Sequence, residues 1–372
     1  MADQPFQSSW CEVSLPGVSQ NLRNTLGLLP PKTRLCAVVK ADAYGHGIKN
    51  IVPLLMSQGI GHIGISSNAE ARAVRKAGFG GILLRLRTAT PAEVSDALDQ
   101  RVEELVGSEE GLQALIAQLG RQALPRLHLS LNADGMSRDG LELSTDQGRM
   151  ACTRMLELAQ GRVCGLCTHF PSNHRDELAE SIARFQNDLD WIFANSALRR
   201  QDVIVHAGST LTLVSGLDPQ TDMMRCGAIL YGIAGPNPGF QTTLSLKSQI
   251  TSLGRYPKGS TIGYDRTTTL RQDRRLASVS LGYANGYCRQ LAGGGEVLVR
   301  GQRCPVMGKI SMNTIVVDVT TLADVAIADE VVAFGQQGAQ DITSQSIEQR
   351  AGTIMADLFT DWGQRNPRVI RS

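Results

Sequence analysis

A lysine at the end of an apolar run is the residue with the clearest chemical potential in this sequence. Residues 35–39 are apolar and rich in small and β-branched side chains, which is typical of a buried strand, and Lys40 follows directly. Desolvation at such a position lowers the pKa of a lysine amine, and the uncharged amine is the nucleophile that forms Schiff bases. The structural alternative is a lysine whose amine extends from the strand end into solvent.

The residues around Lys40 decide between these alternatives. They read Val38-Val39-Lys40-Ala41-Asp42-Ala43-Tyr44-Gly45-His46-Gly47. This stretch resembles, nearly residue for residue, the pyridoxal-phosphate lysine motif of the alanine racemase family. The resemblance covers essentially the whole chain. It implies that Lys40 binds the cofactor pyridoxal 5'-phosphate covalently and that Tyr44 contacts the phosphate group.

Strand and helix patterns alternate through the first two thirds of the chain. The strand-like runs after the first one are residues 35–39, 62–66, 81–86, 102–106, 126–131, 162–168, 203–206 and 223–231. Helical patterns are predicted at residues 18–29, 50–55 (with Asn50 as the cap), 69–77, 91–98, 109–119 and 176–197. Such alternation indicates parallel strands, and eight repeats favour a closed (β/α)8 barrel. A doubly wound sheet would require a Gly-x-Gly-x-x-Gly turn after the strand that precedes Lys40, and this turn is absent.

The character of the chain changes after the Pro-Asn-Pro-Gly sequence at residues 236–239. Short alternating segments follow at residues 242–250, 276–280, 297–300, 304–307, 314–319 and 330–334, with one helix predicted at 341–351. The early strand at residues 10–15 precedes the first barrel helix and is predicted to pair with this part. We therefore predict a barrel domain over residues 12–238 and a mostly-β domain over 239–372 together with residues 1–11.

Composition limits the classes of partner. The chain has 372 residues and a formal charge of +2, without a basic run, so neither nucleic acid nor an anionic membrane is an expected partner. Residues 1–9 are polar and no apolar stretch has membrane-spanning length, which favours the cytoplasm, or the periplasm if a signal peptide has been removed. The eight cysteines are scattered, with Cys164 and Cys167 inside an apolar run, so we expect buried thiols and no metal site.

Racemisation removes a proton from one face of a planar cofactor adduct and returns one to the other, so a two-base scheme requires a partner for Lys40. The segment Gly282-Tyr283-Ala284-Asn285-Gly286 resembles the family motif that contains this second base. The resemblance implies that Tyr283 acts from the partner subunit of a head-to-tail homodimer. Because a free tyrosine has a pKa of about 10, its phenolate needs stabilisation, and the resemblance assigns that task to His169.

Further cofactor contacts follow from the resemblance. Arg225 corresponds to the arginine that faces the pyridine nitrogen, and His206 to the residue that orients this arginine. A guanidinium beside that nitrogen disfavours its protonation and restricts the cofactor to simple proton transfer. The phosphate group is expected to contact the Ser209 hydroxyl and the backbone amides of Gly227 and Ala228.

Substrate contacts and departures from the family pattern concern three segments. Arg138 is implied to bind the cofactor's phenolic oxygen and the substrate carboxylate, and the backbone amide of Met312 to bind the same carboxylate. Ser130 replaces a lysine that braces the arginine in many members, so Asn132 or a bound anion is the expected support for Arg138. Near the C-terminus, Ala356 replaces a tyrosine that narrows the substrate entry.

The segments Gly135-Met136-Ser137-Arg138 and Ser311-Met312-Asn313, the latter with Asn313 in place of the usual aspartate, and the change at Ala356 resemble the broad-specificity branch of the family. The resemblance implies activity on alanine, serine, lysine and arginine. A strict alanine racemase is the alternative. A decarboxylase of the same architecture is disfavoured because it would require an acidic partner for the pyridine nitrogen in place of Arg225. A non-catalytic pyridoxal-phosphate carrier is disfavoured because such proteins are typically a lone barrel.

Overall fold

The computed structural model describes residues 7–133, 135–172, 174–233 and 239–372. The chain forms two compact units. The barrel unit comprises Leu22–Ala43 and Ile48–Leu230, and the β-rich unit comprises Met1–Asn21, Tyr44–Gly47 and Tyr231–Ser372. The predicted domain boundary after Pro238 lies outside the described residues, as do residues 1–6 of the N-terminal part assigned to the β domain. The short segment Tyr44–Gly47 is grouped with the β-rich unit, which the sequence did not indicate.

Eight parallel strands close into a barrel in the first of these units, which confirms the predicted fold class. In order around the barrel they are Arg34–Val38, His62–Ile65, Ile82–Thr88, Val102–Val106, Leu127–Ser130, Val163–Cys167, Ile204–His206 and Met223–Cys226. Most of their residues are buried whichever way they point, because the helices cover the outside and side chains fill the inside. Cys36, Leu84 and Met223 pack together as one apolar cluster.

Helices connect most of these strands. They span Leu15–Leu28, Ile48–Ser57, Asn68–Lys76, Pro91–Asp96, Glu109–Leu119, Asp146–Ala159, Arg175–Ala194 and Thr210–Ser215. Several begin at a capping residue recognisable in the sequence: the Thr90 and Ser67 side chains accept from the amides of Glu93 and Glu70, both at 3.3 Å.

Three details of the predicted barrel differ from the structure. The helix assigned to Asn50 as cap begins at Ile48, whose amide donates to the Asp42 carboxylate at 2.7 Å, so the cap comes from outside the helix. The last strand ends at Cys226 rather than at 231, and Ala228–Tyr231 forms a 3-10 turn. The helix Asp146–Ala159 was not predicted, because Gly148 and scattered charges weaken its periodicity.

The β-rich unit contains a nine-stranded sheet, as the sequence predicts for the C-terminal part. The strand order is Gln340–Ile342, Glu330–Gln337, Glu296–Val299, Gln302–Met307, Ile315–Asp318, Arg274–Val279, Leu244–Tyr256, Ser9–Ser14 and Arg368–Arg371. The early strand pairs antiparallel with Leu244–Tyr256, with Cys11 opposite Leu246, as expected. One helix, Ser344–Ala351, is shorter than predicted, and a second helix, Met355–Arg365, was not predicted.

The cysteines and helices also bear on the earlier expectations about class. All eight cysteines are free thiols, and seven are buried. Burial raises the pKa of Cys36 and of Cys167 to about 12, which keeps these thiols protonated and unreactive. Across the described residues, no helix is both long enough and apolar enough to cross a membrane.

Candidate active site

Lys40 opens a backbone turn of unusual hand. The strand Arg34–Val38 ends two residues earlier, and the next residues, Ala41, Asp42 and Ala43, have φ angles of 54°, 52° and 58°. Tyr44 follows at 50°. A left-handed conformation costs non-glycine residues about 1–2 kcal/mol each, so four in succession require strong local support.

Side chains and backbone of the barrel unit supply that support. The amide of Ala41 donates to the Glu70 carboxylate at 2.7 Å, and the amide of Ala43 donates to the carbonyl of Val39 at 2.7 Å. Glu70 also accepts from the amide of Ser66 at 2.7 Å, so it connects the turn to the end of the neighbouring strand. These bonds hold the strained turn directly after Lys40, and they thereby fix the direction in which the Lys40 side chain extends from the barrel.

Other predicted residues follow the carboxyl ends of their strands. His206 is the last residue of Ile204–His206, and Arg225 is the last but one of Met223–Cys226. His169 lies two residues after Val163–Cys167, and Arg138 lies in the loop after Leu127–Ser130. Because the strands are parallel and the barrel is closed, these ends share one rim, which is where barrel enzymes place their active sites.

Arg225 is held by a fork of hydrogen bonds at this rim. One terminal nitrogen, Nη1, lies 2.8 Å from Nδ1 of His206 and donates to the His206 carbonyl at 3.0 Å. The other, Nη2, donates to the Thr168 carbonyl at 2.7 Å and lies 3.4 Å from Nδ1 of His169. These contacts bring His206 and His169 together on one guanidinium. The resemblance paired Arg225 with His206 alone and assigned His169 to the phenolate of Tyr283.

Positive charge is concentrated around Lys40. Desolvation, and then the charges of Arg138 and Arg225, lower the pKa of the Lys40 amine, against an opposing contribution from Glu70. Desolvation, followed by Arg225, Arg138 and Lys40, lowers the pKa of His169 to about 3. Both side chains are exposed at the rim, and the neighbouring positive charges shift both groups towards the uncharged forms that act as nucleophile or base.

The predicted phosphate contacts occupy two neighbouring loops. Ser209 precedes the short helix Thr210–Ser215, and its amide donates to the Thr212 hydroxyl at 3.2 Å. Gly227 is buried directly after Met223–Cys226, next to half-buried Ala228. The loops after the last two barrel strands are the usual phosphate-binding region of this fold.

The loop that carries Arg138 differs from one expectation. Within its described part, the Asn132 amide nitrogen donates to Glu142 at 2.7 Å, its oxygen accepts from the amide of Ser137 at 3.0 Å, and no bond joins it to Arg138. Asn132 therefore shapes the loop rather than bracing the arginine. Ser130 is buried at the strand end, and Asp134 lies outside the described residues.

Three predicted residues belong to the β-rich unit. Tyr283 begins a 3-10 turn and is 37% exposed, and its amide donates to the Ser311 carbonyl at 3.1 Å. The next amide donates to the Met312 carbonyl at 2.9 Å, so the two motifs named for proton transfer and carboxylate binding are adjacent. Tyr44 stacks on Tyr231 with ring centroids 5.0 Å apart.

Pyridoxal phosphate, which the family implies, can be compared with these groups. Its aldehyde needs an amine, and Lys40 offers one with a lowered pKa; its ring nitrogen needs a polar partner, which Arg225 offers. Its phosphate needs hydroxyl and N–H donors, and Ser209, Gly227 and Ala228 carry them on adjacent loops. The donor set of the barrel rim therefore fits this cofactor.

Sequence reasoning missed three polar residues of this region. Glu70 supports the turn after Lys40, and the pattern Ser67-x-x-Glu70, a capping box, could have drawn attention to it. His128 and Glu103 lie inside the barrel, where His128 Nδ1 is 2.8 Å from His206 Nε2. They carry no motif, because two strands bring them together only in the closed barrel.

Acid is expected to destabilise the fold through His206. Burial, and then the charge of Arg225, lower its pKa well below 6.5. In the unfolded chain the imidazole titrates near its ordinary pKa, so between 6.5 and the folded pKa the unfolded state binds the extra proton. The free energy of unfolding therefore decreases as the pH is lowered, by up to about 1.4 kcal/mol per pH unit from this group. Urea titrations at several pH values give the free energy of unfolding as a function of pH. The slope of that function should be smaller in His206→Gln than in the wild type and unchanged in His174→Gln, a variant of an exposed histidine. Equal slopes in all three proteins would contradict the role of His206.

The fold and rim together define a class of protein, a (β/α)8 barrel with a lysine at its carboxyl rim and an additional β-rich unit. Two family descriptions match nearly the whole chain: alanine racemase, N-terminal domain, over residues 13–235, and alanine racemase, C-terminal domain, over residues 243–370. The chain therefore belongs to the alanine racemase family and is an amino-acid racemase.

Individual relatives agree with this assignment. A broad specificity amino-acid racemase of Pseudomonas putida is 40% identical over 367 residues, which cover 98% of this chain and 89% of the relative. A lysine racemase of Proteus mirabilis is 38% identical, with 98% and 89% of the two chains covered. The crystal structure of alanine racemase from Bartonella henselae, described with covalently bound pyridoxal phosphate, superposes with a TM-score of 0.86 at 22% identity, covering 98% of this chain and all of that one; it shows the shared fold.

Proposed function

We propose that this racemase interconverts L- and D-amino acids with pyridoxal 5'-phosphate, by transferring protons between two bases. The observation that carries the proposal is the cluster at the barrel rim: an amine with a lowered pKa within electrostatic reach of Arg225 and Arg138. When bound, the cofactor supplies an electron sink that acidifies the Cα–H bond of the amino acid. Lys40 and Tyr44 would hold it, together with the Ser209, Gly227 and Ala228 donors.

The two bases are proposed to lie on opposite faces of the substrate. Lys40 Nζ takes or returns the Cα proton on one face, and the Tyr283 hydroxyl, contributed by the partner subunit of a homodimer, does so on the other. His169, kept uncharged by its neighbours, accepts from Arg225 on Nδ1 and is proposed to donate its Nε2 proton to the phenolate of Tyr283. In this scheme residues 12–238 form the cofactor-binding domain, and residues 239–372 with 1–11 form the domain that carries Tyr283.

Arg225 is proposed to limit the chemistry to racemisation. Its guanidinium is always charged and is held by His206 and Thr168, so a second positive charge on the facing pyridine nitrogen is unfavourable. Withholding that proton weakens the electron sink and disfavours transamination. Arg138 and the backbone amide of Met312 are proposed to bind the substrate carboxylate, which orients Cα towards the two bases.

Broad specificity is favoured over strict specificity for alanine. The curated relatives cited above are a broad specificity racemase and a lysine racemase, at 40% and 38% identity. The sequence departures at Ala356, Ser137 and Asn313 indicate the same branch. We propose alanine, serine, lysine and arginine as substrates.

The test is a panel of enantiopure L-amino acids followed by polarimetry and chiral chromatography. The proposal requires loss of optical rotation without release of CO2 or of keto acid. Release of CO2 would identify a decarboxylase instead. Rotation lost with alanine only would leave a racemase and overturn the broad specificity.

Substrate size should respond to the residue at position 356. Ala356 is half-buried in the second position of Met355–Arg365. A tyrosine there would restore the bulk present in strict alanine racemases, so Ala356→Tyr should lower kcat/KM for lysine and arginine about tenfold relative to alanine, a discrimination of about 1.4 kcal/mol. Ala151→Tyr, the same exchange at a half-buried helical position of the barrel, controls for general damage. An unchanged lysine-to-alanine ratio in Ala356→Tyr would count against the entry role.

A further inference from the structure

The interior of the barrel contains a line of hydrogen-bonded polar side chains that begins at Arg225. His206 Nδ1 lies 2.8 Å from Arg225 Nη1, and His206 Nε2 lies 2.8 Å from His128 Nδ1. His128 Nε2 lies 2.8 Å from Glu103 Oε2, and Glu103 Oε1 accepts from Arg126 Nε at 2.7 Å. We call these five side chains the interior relay.

The three central members of this relay are deeply buried, whereas Arg225 is half-buried and Arg126 is exposed. His206, His128 and Glu103 are 0%, 1% and 6% exposed, respectively. Barrel interiors are normally filled by apolar side chains, and each buried polar group costs free energy unless it is bonded. The outer end, Glu103 with Arg126, lines a cavity of about 580 Å³, whereas the inner end meets the cofactor-binding rim. A row of buried polar side chains inside an apolar barrel therefore indicates a function at one of its two ends.

Only one arrangement of protons satisfies every bond. An arginine can only donate, so His206 Nδ1 must accept, and the single proton of the neutral imidazole is on Nε2. That proton is donated to His128 Nδ1, which places the His128 proton on Nε2, where it is donated to the Glu103 carboxylate. Burial raises the pKa of Glu103, but the bond from His128 and the charge of Arg126 outweigh it, so the carboxylate stays ionised and accepting.

The neighbouring strand is shaped to admit this arrangement. Gly165 lies beside His128 in the sheet, and a Cβ atom at Gly165 would come within 2.0 Å of His128 Nδ1, the atom that faces His206. Any larger residue would displace the imidazole from its bond with His206. The backbone therefore provides the space that the relay needs.

We propose that Glu103 and His128 are positioning residues for the racemase site: they fix the tautomer of His206 and thereby hold the guanidinium of Arg225 in place. This inference rests on the proposed function only in that Arg225 faces the cofactor. If the carboxylate were lost, His128 and His206 could both reverse their tautomers. The proton on His206 Nδ1 would then oppose the Arg225 N–H, and the guanidinium would turn away from its present position.

A metal centre is the competing interpretation. Glu103, His128 and Cys164 have ligand atoms within 4.8 Å of one another. However, Arg126 already bonds Glu103, and a cation would have to displace both that guanidinium and the His128 proton. Burial raises the pKa of the Cys164 thiol to about 12, so thiolate formation is also disfavoured.

The first test uses the cofactor-free protein and ¹⁵N-labelled histidine. NMR reports tautomers directly, and we expect His206 and His128 both to be protonated on Nε2. Glu103→Gln and Gly165→Ala should each change these signals: the former replaces an acceptor-only carboxylate by an amide that can also donate to His128 Nε2, and the latter displaces the imidazole. Glu104→Gln is the matched control, because Glu104 is equally buried one residue away and bonds Arg85 at 2.7 Å instead. Tautomers unchanged in both relay variants, or altered equally in Glu104→Gln, would overturn the relay, and so would histidine signals that shift on addition of Zn²⁺.

The second test uses the cofactor-loaded enzyme. Displacement of Arg225 should lower kcat about 10- to 100-fold in Glu103→Gln with little change in KM. It should also raise the share of transamination and alter the visible spectrum of the bound cofactor. Altered tautomers with unchanged reaction partitioning and spectrum would refute the link to the racemase site. If no amino acid were racemised by the wild type, the proposed function would fall, while the NMR result would still decide the relay.

Discussion

Replacing Lys40 by alanine is expected to abolish racemisation and cofactor attachment together. The variant loses the amine whose pKa is lowered by desolvation and by neighbouring arginines. Because this amine is the proposed nucleophile, kcat should fall at least about 10³-fold. The visible absorbance of a lysine-bound cofactor should disappear, and borohydride should no longer link the cofactor to the chain. Spectroscopy and mass spectrometry of borohydride-treated protein measure both effects.

The exposed lysine nine residues later provides the control. Lys49→Ala removes a solvated amine near the start of Ile48–Ser57 and should leave activity and spectrum unchanged. A borohydride-stable adduct that persists in Lys40→Ala would place the cofactor on another lysine. A normal spectrum with lost activity would instead restrict Lys40 to proton transfer.

The second large effect is expected at Tyr283. Tyr283→Phe removes only the hydroxyl, and loss of a general acid–base group typically costs 10²–10⁴-fold in rate, about the effect expected here. The loss should be asymmetric: in D2O, deuterium incorporation at Cα should depend on which enantiomer is supplied, because one face keeps Lys40. Tyr287→Phe makes the same exchange at a buried core tyrosine four residues later and should retain most activity.

Mixed dimers test whether Tyr283 acts across subunits. When Lys40→Ala and Tyr283→Phe chains exchange, each hybrid has one site with both substitutions and one site with neither. Random mixing should therefore restore about a quarter of the wild-type activity. No recovery after verified subunit exchange would show that both bases come from one chain.

Local sequence predicted much of this protein for a physical reason. Lys40 and Ser209 follow short apolar runs bounded by turn residues, and parallel strands in a closed barrel must bring such ends to one rim. The Lys40 motif also specified the chemistry of that rim before any geometry was known. The β-rich C-terminal part and the pairing of its first strand were likewise accessible from alternating patterns.

Other features were hidden because their cause is not local. The helix that begins at Ile48 is capped by Asp42, six residues away across a left-handed turn. The prediction of Asn50 as its cap was wrong because it considered only the nearest residue of a capping type. The helix Met355–Arg365 does have apolar residues at helical spacing, but Gly352 separates it from the predicted helix, and its Trp362 is anchored by the Gly286 carbonyl at 2.9 Å. The Asn132 side chain forms hydrogen bonds within its own loop, and no sequence pattern distinguishes such bonds from a contact with Arg138.

By itself, the sequence determined the barrel, the β-rich part and the family, and it predicted the residues of the active site, because periodicity and motif are properties of neighbouring residues. Only the tertiary structure decided which charges surround Lys40, how Arg225 is held, and that His128 and Glu103 extend its support into the barrel. Residues 103, 128 and 206 lie far apart in the chain, and hydrogen bonds between them exist only once the barrel has closed. Charge and proton position in this site are therefore consequences of packing, which no short stretch of sequence contains.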